Sequence, residues 1–318
     1  MENQSFRALL IASYGRNYLA RPTDPKHPSP DHLFEVSSRA KKNEGAVGDF
    51  IKVTMTSNHQ VVLDEIESRK NLVFRSDAFR SKSIAANVDQ ILLVIATEPA
   101  FSPDLLGRAS IVAAHEDIEL RLLLNKCDLK DHLQRAQDML RPYASLGIPI
   151  HEISAKQDPD SLIALEPVLA GKVSVLVGQS GMGKSTLLNR WVPNALAQTR
   201  EHSTKLDTGK HTTTACRYYD LPSWGMKNNT LGALIDSPGF QEFGLAHLSE
   251  SELQHAFIEF RPHLGKCRFN NCTHQHEPDC AINEAVVKGE IHPERLKLFS
   301  QLIHETRNAT IQSQGHKT

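Results

Sequence analysis

The segment "VLVGQSGMGKST" at 175–186 constrains the fold of this chain more than any other stretch of its sequence. It completes the pattern G-x-x-x-x-G-K-[ST] between the apolar run "VSVLV" and a stretch typical of a helix. The glycines allow backbone N–H groups to converge on phosphate oxygens, and a helix N-terminus adds its positive dipole end. The pattern predicts phosphate contacts along the whole loop: Gly178, Gln179, Ser180, Gly181, Met182, Gly183, Lys184, Ser185 and Thr186. Lys184 would reach the β- and γ-phosphates, and the Ser185 hydroxyl would bind Mg²⁺.

A second motif precedes this loop. Asn125, Lys126 and Asp128 spell N-K-x-D in "RLLLNKCDLK". Alone the motif is weak evidence for a base-binding loop, because the same residues also suit a strand-to-helix turn in which Asp128 caps the helix. Its chemistry is specific, since the Asp128 carboxylate can accept two hydrogen bonds from the ring N–H and exocyclic amine of guanine, a donor pair that adenine lacks. Lys126 would lie along the base plane.

The short motif "SAK", Ser154, Ala155 and Lys156, ends the next predicted strand, where a backbone N–H could meet the guanine carbonyl oxygen. In an ordinary GTPase the phosphate loop comes before the residues that read the base, whereas here it comes after them. Ligands of a parallel sheet bind at the carboxyl ends of its strands, so neighbouring strand ends matter and chain order does not. The order therefore predicts a circularly permuted GTPase.

Two later segments match the nucleotide-sensing switches of GTPases. "DTGKHTTT" at 207–214 offers Thr212, Thr213 and Thr214 for Mg²⁺, and we assign this role to Thr213. "DSPGF" ends a buried run in D-x-x-G, so Asp236 would hold Mg²⁺ through water and the Gly239 N–H would face the γ-phosphate.

The residue after that glycine is Phe240, where many GTPases have the glutamine that orients the attacking water. Phenylalanine cannot do so, which predicts slow intrinsic turnover and a catalytic group elsewhere. His247 in "EFGLAHL" and His211 beside the threonines are the candidates.

Three of the five cysteines fall in "CRFNNCTHQHEPDC". Cys267, Cys272, His274 and Cys280 have the spacing C-x₄-C-x-H-x₅-C, which predicts one closed, tetrahedral, structural Zn²⁺ site per chain. His276 is a competing fourth ligand.

The pattern of hydrophobic residues divides the chain into three parts. Residues 1–75 hold short β-like pieces between turns, which predict a small barrel, and 71–90 has the polar composition of a linker. Strands alternating with helices over 76–248 predict an α/β domain with a mainly parallel sheet. Residues 249–318 have a helical pattern interrupted by the Cys/His segment.

Composition limits the partners. The net charge of −1 excludes a global basic field as the reason for nucleic-acid binding. Apolar runs such as "ILLVIAT" are too short to span a membrane, and the N-terminus lacks the features of a signal peptide, so we expect a cytoplasmic protein without a membrane partner.

Together, "NKCDL", "SAK", "GQSGMGKST", "GKHTTT", "DSPGF", "EFGLAHL" and the Cys/His spacing, in this order, resemble the ribosome small subunit-dependent GTPase A family. The resemblance implies an N-terminal OB-fold barrel, a central circularly permuted P-loop GTPase and a C-terminal helical zinc-binding domain. It assigns catalysis to His247 and zinc to Cys267, Cys272, His274 and Cys280.

The family's activity follows as an expectation: GTP hydrolysis to GDP and phosphate, stimulated by the 30S ribosomal subunit, during late maturation of that subunit, with release after hydrolysis. The expected partners are GTP and GDP with Mg²⁺, the 30S subunit and 16S rRNA, and we expect a monomer. Arg39, Lys41 and Lys42 are candidates for RNA contacts, although a solvated charged loop is the alternative. A nucleotide-gated RNA-binding module with negligible turnover also stays open.

Overall fold

The computed structural model describes residues 5–14, 17–38, 45–76, 81–193, 195, 216–222, 232–237, 242–245 and 247–315, the last seven as backbone only. Among these residues, no helix is both long and apolar enough to pass through a lipid bilayer.

The N-terminal part is a closed five-stranded barrel. Its strands are β1 (Ser5–Tyr14), β2 (Asn17–Pro22), β3 (Phe34–Ser38), β4 (Phe50–Met55) and β5 (Gln60–Ile66). They pair in the order β1-β2-β3-β5-β4, and β4 returns to β1, which closes the barrel. Alternate residues point inward, so Phe34 and Val36 of β3 are buried while Glu35 between them is exposed. The predicted barrel is confirmed.

The central domain is a mainly parallel sheet covered by helices. Its strands are β8 (Gln90–Ala96), β9 (Glu119–Asn125), β10 (Ile150–Glu152), β11 (Val173–Val177), β12 (Cys216–Asp220) and β13 (Ala233–Asp236). Its helices are α1 (Pro103–His115), α2 (Lys130–Ala144), α3 (Asp160–Ile163), α4 (Glu166–Leu169) and α5 (Lys184–Trp191). The order is β10-β9-β8-β11-β13-β12, and among these described strands β12 alone is antiparallel to its neighbour in the central sheet. All seven residues of β8 are buried, as expected for a strand covered on both faces.

The barrel and the central sheet are continuous. Strand β1 pairs antiparallel with β12 through Ala12–Arg217 and Ser13–Cys216, so one 11-stranded sheet runs through both parts. The Arg21 guanidinium also donates to the Asp220 carboxylate, at 2.5 and 3.0 Å. The barrel thus pairs with the strand that follows the predicted switch segment 207–214.

The linker predicted over 71–90 is wrong. Strands β6 (Leu72–Ser76) and β7 (Ser81–Ala86) pair antiparallel within this range, and β6 also pairs with β14 (Glu242–Phe243). The composition is polar because only part of each strand faces the core, where Val73 and Ile84 are almost fully buried. The domain boundaries at 75 and 248 stay predictions.

The C-terminal part is helical, as predicted. It contains α6 (Glu250–Ala256), a 3₁₀ turn at Arg261–His263, α7 (Ala281–Val287) and α8 (Pro293–Gly315). Arg295 of α8 forms a buried ion pair with Glu259, at 2.5 Å, and donates to Ser110 of α1, at 2.8 Å. The bond to Ser110 joins the helical part to the central domain, while the ion pair lies within the helical part and orients Arg295.

Candidate nucleotide-binding site and metal centre

The phosphate loop follows β11 and enters α5, as its sequence requires. Gly178 has a φ of 146°, and a Cβ there would lie 2.2 Å from the Val94 carbonyl oxygen of the neighbouring strand β8. Gly183, with a φ of 101°, would place a Cβ 2.2 Å from Asn125 Nδ2. Side chains at either position would therefore push the loop away from the strand ends.

Lys184 is the first residue of α5, and its ammonium group lies over the loop. Its Nζ donates to the carbonyl oxygens of Gly178 and Gln179, at 2.5 and 2.9 Å. Burial lowers the pKa of Lys184, and the negative charge of Asp236 partly offsets that effect. A half-buried cation at a helix N-terminus is a binding position for an anion such as phosphate.

Asn125 connects three loops. It ends β9 and is 3% exposed. Its Nδ2 donates to the Met182 carbonyl oxygen of the phosphate loop at 2.9 Å, and its Oδ1 accepts from the Ala155 N–H of the "SAK" turn at 3.0 Å. One amide thereby holds the base-reading and phosphate-binding segments together.

Asp128 lies beside the same turn. The Ser154 hydroxyl donates to its carboxylate and fixes the orientation of that group. Lys126 has a φ of 62°, and its Nζ donates to the Glu98 carbonyl oxygen at 2.7 Å. Between them, Cys127 points into the core, where burial raises the pKa of its thiol to about 11, so it takes no part in this surface.

Asp236 ends β13 next to the phosphate-loop strand, in register with Leu176 of β11. Burial raises the pKa of its carboxyl group to about 6, against the opposing effect of Lys184. A divalent cation favours the charged carboxylate, so this position suits a ligand of Mg²⁺, directly or through water.

Two further hydrogen bonds stabilise this edge of the sheet, and neither was predicted from the sequence. The Thr97 hydroxyl donates to the Lys126 carbonyl oxygen at 2.8 Å, and the Ser102 N–H donates to Gln179 Oε1 at 3.1 Å. Thr97 directly follows β8, so its place at the carboxyl end of a central strand was the available signal. Nothing in the local sequence indicates the partner of Ser102.

Several predicted residues lie outside the described part of the chain. They are the switch threonines Thr212, Thr213 and Thr214, the residues Gly239 and Phe240, the alternative catalytic candidate His211, and the candidate RNA contacts Arg39, Lys41 and Lys42.

His247 is described, and the structure does not bring it to the nucleotide edge. Its ring packs against Phe74, with centroids 4.9 Å apart, and against His115, at 6.3 Å. His115 ends α1, whose start touches the phosphate loop through Ser102. The 13 residues of α1 extend about 20 Å, so the end of this helix that contacts His247 is remote from the end that contacts the phosphate loop. The catalytic role of His247 stays a prediction.

The four predicted zinc ligands lie together. His274 Nδ1 is 3.5, 3.5 and 3.4 Å from the sulfur atoms of Cys267, Cys272 and Cys280, and the sulfurs of Cys267 and Cys280 are 4.0 Å apart. A tetrahedral Zn²⁺ ion would separate such atoms by about 3.5–3.8 Å, so the donor set fits zinc. His276 is exposed and outside the cluster, which favours His274 as the fourth ligand.

Glu277 shapes the loop that carries His274. Its carboxylate accepts from the Thr273 N–H at 2.8 Å and hydroxyl at 2.6 Å, and from the N–H groups of Gln275 and His276 at 3.1 and 3.2 Å. These bonds lower the pKa of Glu277. The role of Glu277 was not predictable from the sequence, because hydrogen bonds to backbone amides leave no pattern in residue types.

Known proteins resemble this chain over most of its length. The family model described as RsgA GTPase matches residues 66–246. The small ribosomal subunit biogenesis GTPase RsgA of Burkholderia mallei (strain SAVP1) is 50% identical over 297 residues, covering 93% of this chain and 91% of that protein. Its counterpart in Paraburkholderia xenovorans (strain LB400) is 49% identical over 298 residues, with 93% and 92% covered.

Two solved structures share the fold at 26% identity. The crystal structure of YjeQ from Thermotoga maritima has a TM-score of 0.68 and covers 95% of this chain and 99% of that one. The crystal structure of YloQ, a circularly permuted GTPase, has a TM-score of 0.64 and covers 96% of each chain. The permuted order predicted from the motifs is confirmed. With a family model over more than half of its length and relatives at 50% identity, this chain belongs to the RsgA GTPase family and is a GTP hydrolase.

Proposed function

We propose that this GTPase acts in late maturation of the small ribosomal subunit: it binds the 30S subunit with GTP, hydrolyses GTP when the subunit stimulates it, and then dissociates. The names of relatives at 50% and 49% identity support the biological context. The observation that carries the chemistry is the bridge made by Asn125, which joins the base-reading motif to the phosphate loop although the chain presents them in reversed order.

In the proposed site, Asp128 accepts the two N–H groups of guanine while Lys126 lies along the base. Ser154 holds the carboxylate of Asp128 in place, which supports this role. The backbone of the "SAK" turn, residues 154–156, meets the guanine carbonyl oxygen.

The phosphates lie on the loop 178–186. Lys184 would exchange its two carbonyl partners for phosphate oxygens, because it already stands at the N-terminus of α5. Mg²⁺ would be bound by Ser185 and Thr213 and, through water, by Asp236, with the Gly239 N–H at the γ-phosphate. When bound, the cation neutralises charge on the phosphates during transfer to water.

We also propose roles for the two regions that flank the GTPase domain. We assign residues 1–75 to an OB-type barrel that contacts 16S rRNA, 76–248 to the GTPase and 249–318 to the zinc-binding helical domain, in a monomer. The closed barrel and the Cys₃His cluster support these assignments. The zinc would be structural, since four protein ligands leave no open position.

Turnover is proposed to be slow in the free protein. His247 lies at the far end of α1, so hydrolysis through this residue requires the segment around it to move. Docking on the subunit would supply that rearrangement, as partner-driven closure completes other active sites. Each tenfold of stimulation needs only about 1.4 kcal/mol of transition-state stabilisation.

Multiple-turnover phosphate release with and without purified 30S subunits tests the proposal. We expect subunits to raise the rate of phosphate release strongly in the wild type and only slightly in His247→Ala. The control His304→Ala, at an exposed position of α8, should be stimulated as much as the wild type. Binding of GTP and subunits should be unchanged in both variants. Equal rates with and without subunits would refute stimulated hydrolysis, and subunit binding with negligible turnover would favour a nucleotide-gated binding module instead.

A further inference from the structure

A second group of metal-binding side chains lies at the C-terminal end of α1, away from both sites described above. One nitrogen each of His115 and His247 and one carboxylate oxygen of Glu116 all lie within 4.8 Å of one another. These groups line a small pocket walled by apolar side chains that include Leu72 and Val112.

The carboxylate in this cluster is held in position. Glu116 Oε2 accepts the Leu72 N–H at 3.0 Å, which leaves Oε1 facing His115, 3.7 Å from its Nε2. A metal ligand fixed by a backbone hydrogen bond is the arrangement found around protein metal sites.

The imidazole of His247 is suited to act as a ligand. It stacks against Phe74 on one side and faces His115 on the other, with Glu116 and Glu252 as the acidic groups nearby. Burial and the neighbouring His115 lower the pKa of His247, which favours the neutral form of the imidazole that binds metals.

We propose that His115, Glu116 and His247 form a binding site for a divalent transition-metal ion of the zinc class. Two imidazoles and one carboxylate are a zinc donor set that leaves the fourth position to water. Bond lengths near 2.0 Å require the ligand atoms to approach to about 3.3 Å. Rotation of the His247 side chain, which lines the pocket on one side and is open to solvent on the other, would close this gap, because Glu116 is already oriented.

The site would regulate hydrolysis, and this consequence rests on the proposed catalytic role of His247. A bound metal would hold the imidazole at the C-terminal end of α1, the end opposite the one that contacts the phosphate loop. Occupancy would therefore oppose the movement that stimulated hydrolysis requires. Zinc would lower the rate in the presence of subunits without lowering GTP affinity.

Equilibrium dialysis tests the site directly. The zinc bound per chain of tag-free protein is measured over a range of free zinc concentrations. The wild type and the control His304→Ala should take up two ions per chain, of which the tighter belongs to the Cys₃His cluster. His115→Ala and Glu116→Gln should bind the second ion at least about tenfold more weakly. Glutamine keeps an acceptor for the Leu72 N–H, so a loss in Glu116→Gln is not due to misfolding.

The proposal is overturned if the wild type takes up only one zinc ion per chain. It is also overturned if His115→Ala and Glu116→Gln both bind the second ion as tightly as the wild type does. The uptake is measured without hydrolysis, so it separates the site from the proposed function. If the second ion binds as expected but leaves the stimulated rate unchanged, the metal site stands and its proposed control of hydrolysis fails, whereas the catalytic role of His247 is decided separately by His247→Ala.

Discussion

Replacing Asn125 by alanine tests whether one side chain holds the permuted nucleotide site together. The substitution removes two hydrogen bonds, from Nδ2 to the Met182 carbonyl oxygen at 2.9 Å and from the Ala155 N–H to Oδ1 at 3.0 Å. It leaves the backbone of β9 unchanged. Met182 and Ala155 are each 2% exposed, so water reaches their freed backbone groups poorly.

Each buried group left without a partner costs about 1–3 kcal/mol, which gives about 2–6 kcal/mol for the pair. The two loops can separate in the free protein and regain water, whereas the nucleotide requires them closed. Most of the cost therefore appears in binding. The lower limit, about 2 kcal/mol, corresponds to a loss of about 30-fold in affinity.

A titration with a fluorescent GDP analogue, followed by competition with GDP, GTP and ATP, measures this loss. GDP and GTP should weaken by the same factor, and the preference for guanine should remain, because Asp128 is untouched. Asn308→Ala, at an exposed position of α8, is the control and should bind as the wild type does. Affinity of Asn125→Ala within about twofold of the wild type would refute the bridging role.

Three further outcomes follow from particular residues. Cys272→Ala should abolish zinc binding at the Cys₃His cluster and destabilise the C-terminal helices, seen as zinc loss and an added early transition in thermal unfolding, with GDP affinity unchanged. Burial raises the pKa of Asp236 to about 6, so its charged form destabilises the folded state as the pH rises from about 4 to 6, whereas Mg²⁺ requires that charge. GTP affinity with Mg²⁺ should therefore increase with pH below about 6, and Asp236→Asn should make this increase less steep, with only the titration of the GTP phosphate remaining. Arg295→Met leaves the buried Glu259 unpaired, so the free energy of unfolding in urea should fall by about 3–5 kcal/mol, whereas an unchanged value would mean that the ion pair adds nothing.

The nucleotide site was largely predictable from the sequence. Each of its segments is a short motif at the end of a hydrophobic strand, and the chemistry of Asp128 or Lys184 depends on residue type and on strand ends being neighbours. Circular permutation changes neither condition. The Cys₃His cluster was predictable for a similar reason, since four soft donors within 14 residues have few other uses in one polar segment.

Contacts between distant segments were not predictable. The pairing of β1 with β12 uses the end of β1 beyond the residues that pair with β4, and a strand end carries no local signal of its partner. The error over 71–90 has a related cause, because β6 and β7 become strands through burial against the core, which overrides their polar composition. The position of His247 depends on packing against β6 and the end of α1, and the motif "EFGLAHL" does not encode it.

The exchange of nucleotide specificity in Asp128→Asn tests most directly the claim that this permuted chain forms a guanine site from its early base-reading motif and its later phosphate loop. An amide in place of the carboxylate loses the paired charge-assisted hydrogen bonds to guanine, which costs at least about a hundredfold in affinity, and it complements the exchanged edge of xanthine. The variant should bind and hydrolyse xanthosine triphosphate in preference to GTP, while Asp131→Asn, an exposed control in the first turn of α2, keeps the preference of the wild type. Undiminished GTP affinity in Asp128→Asn would contradict the account.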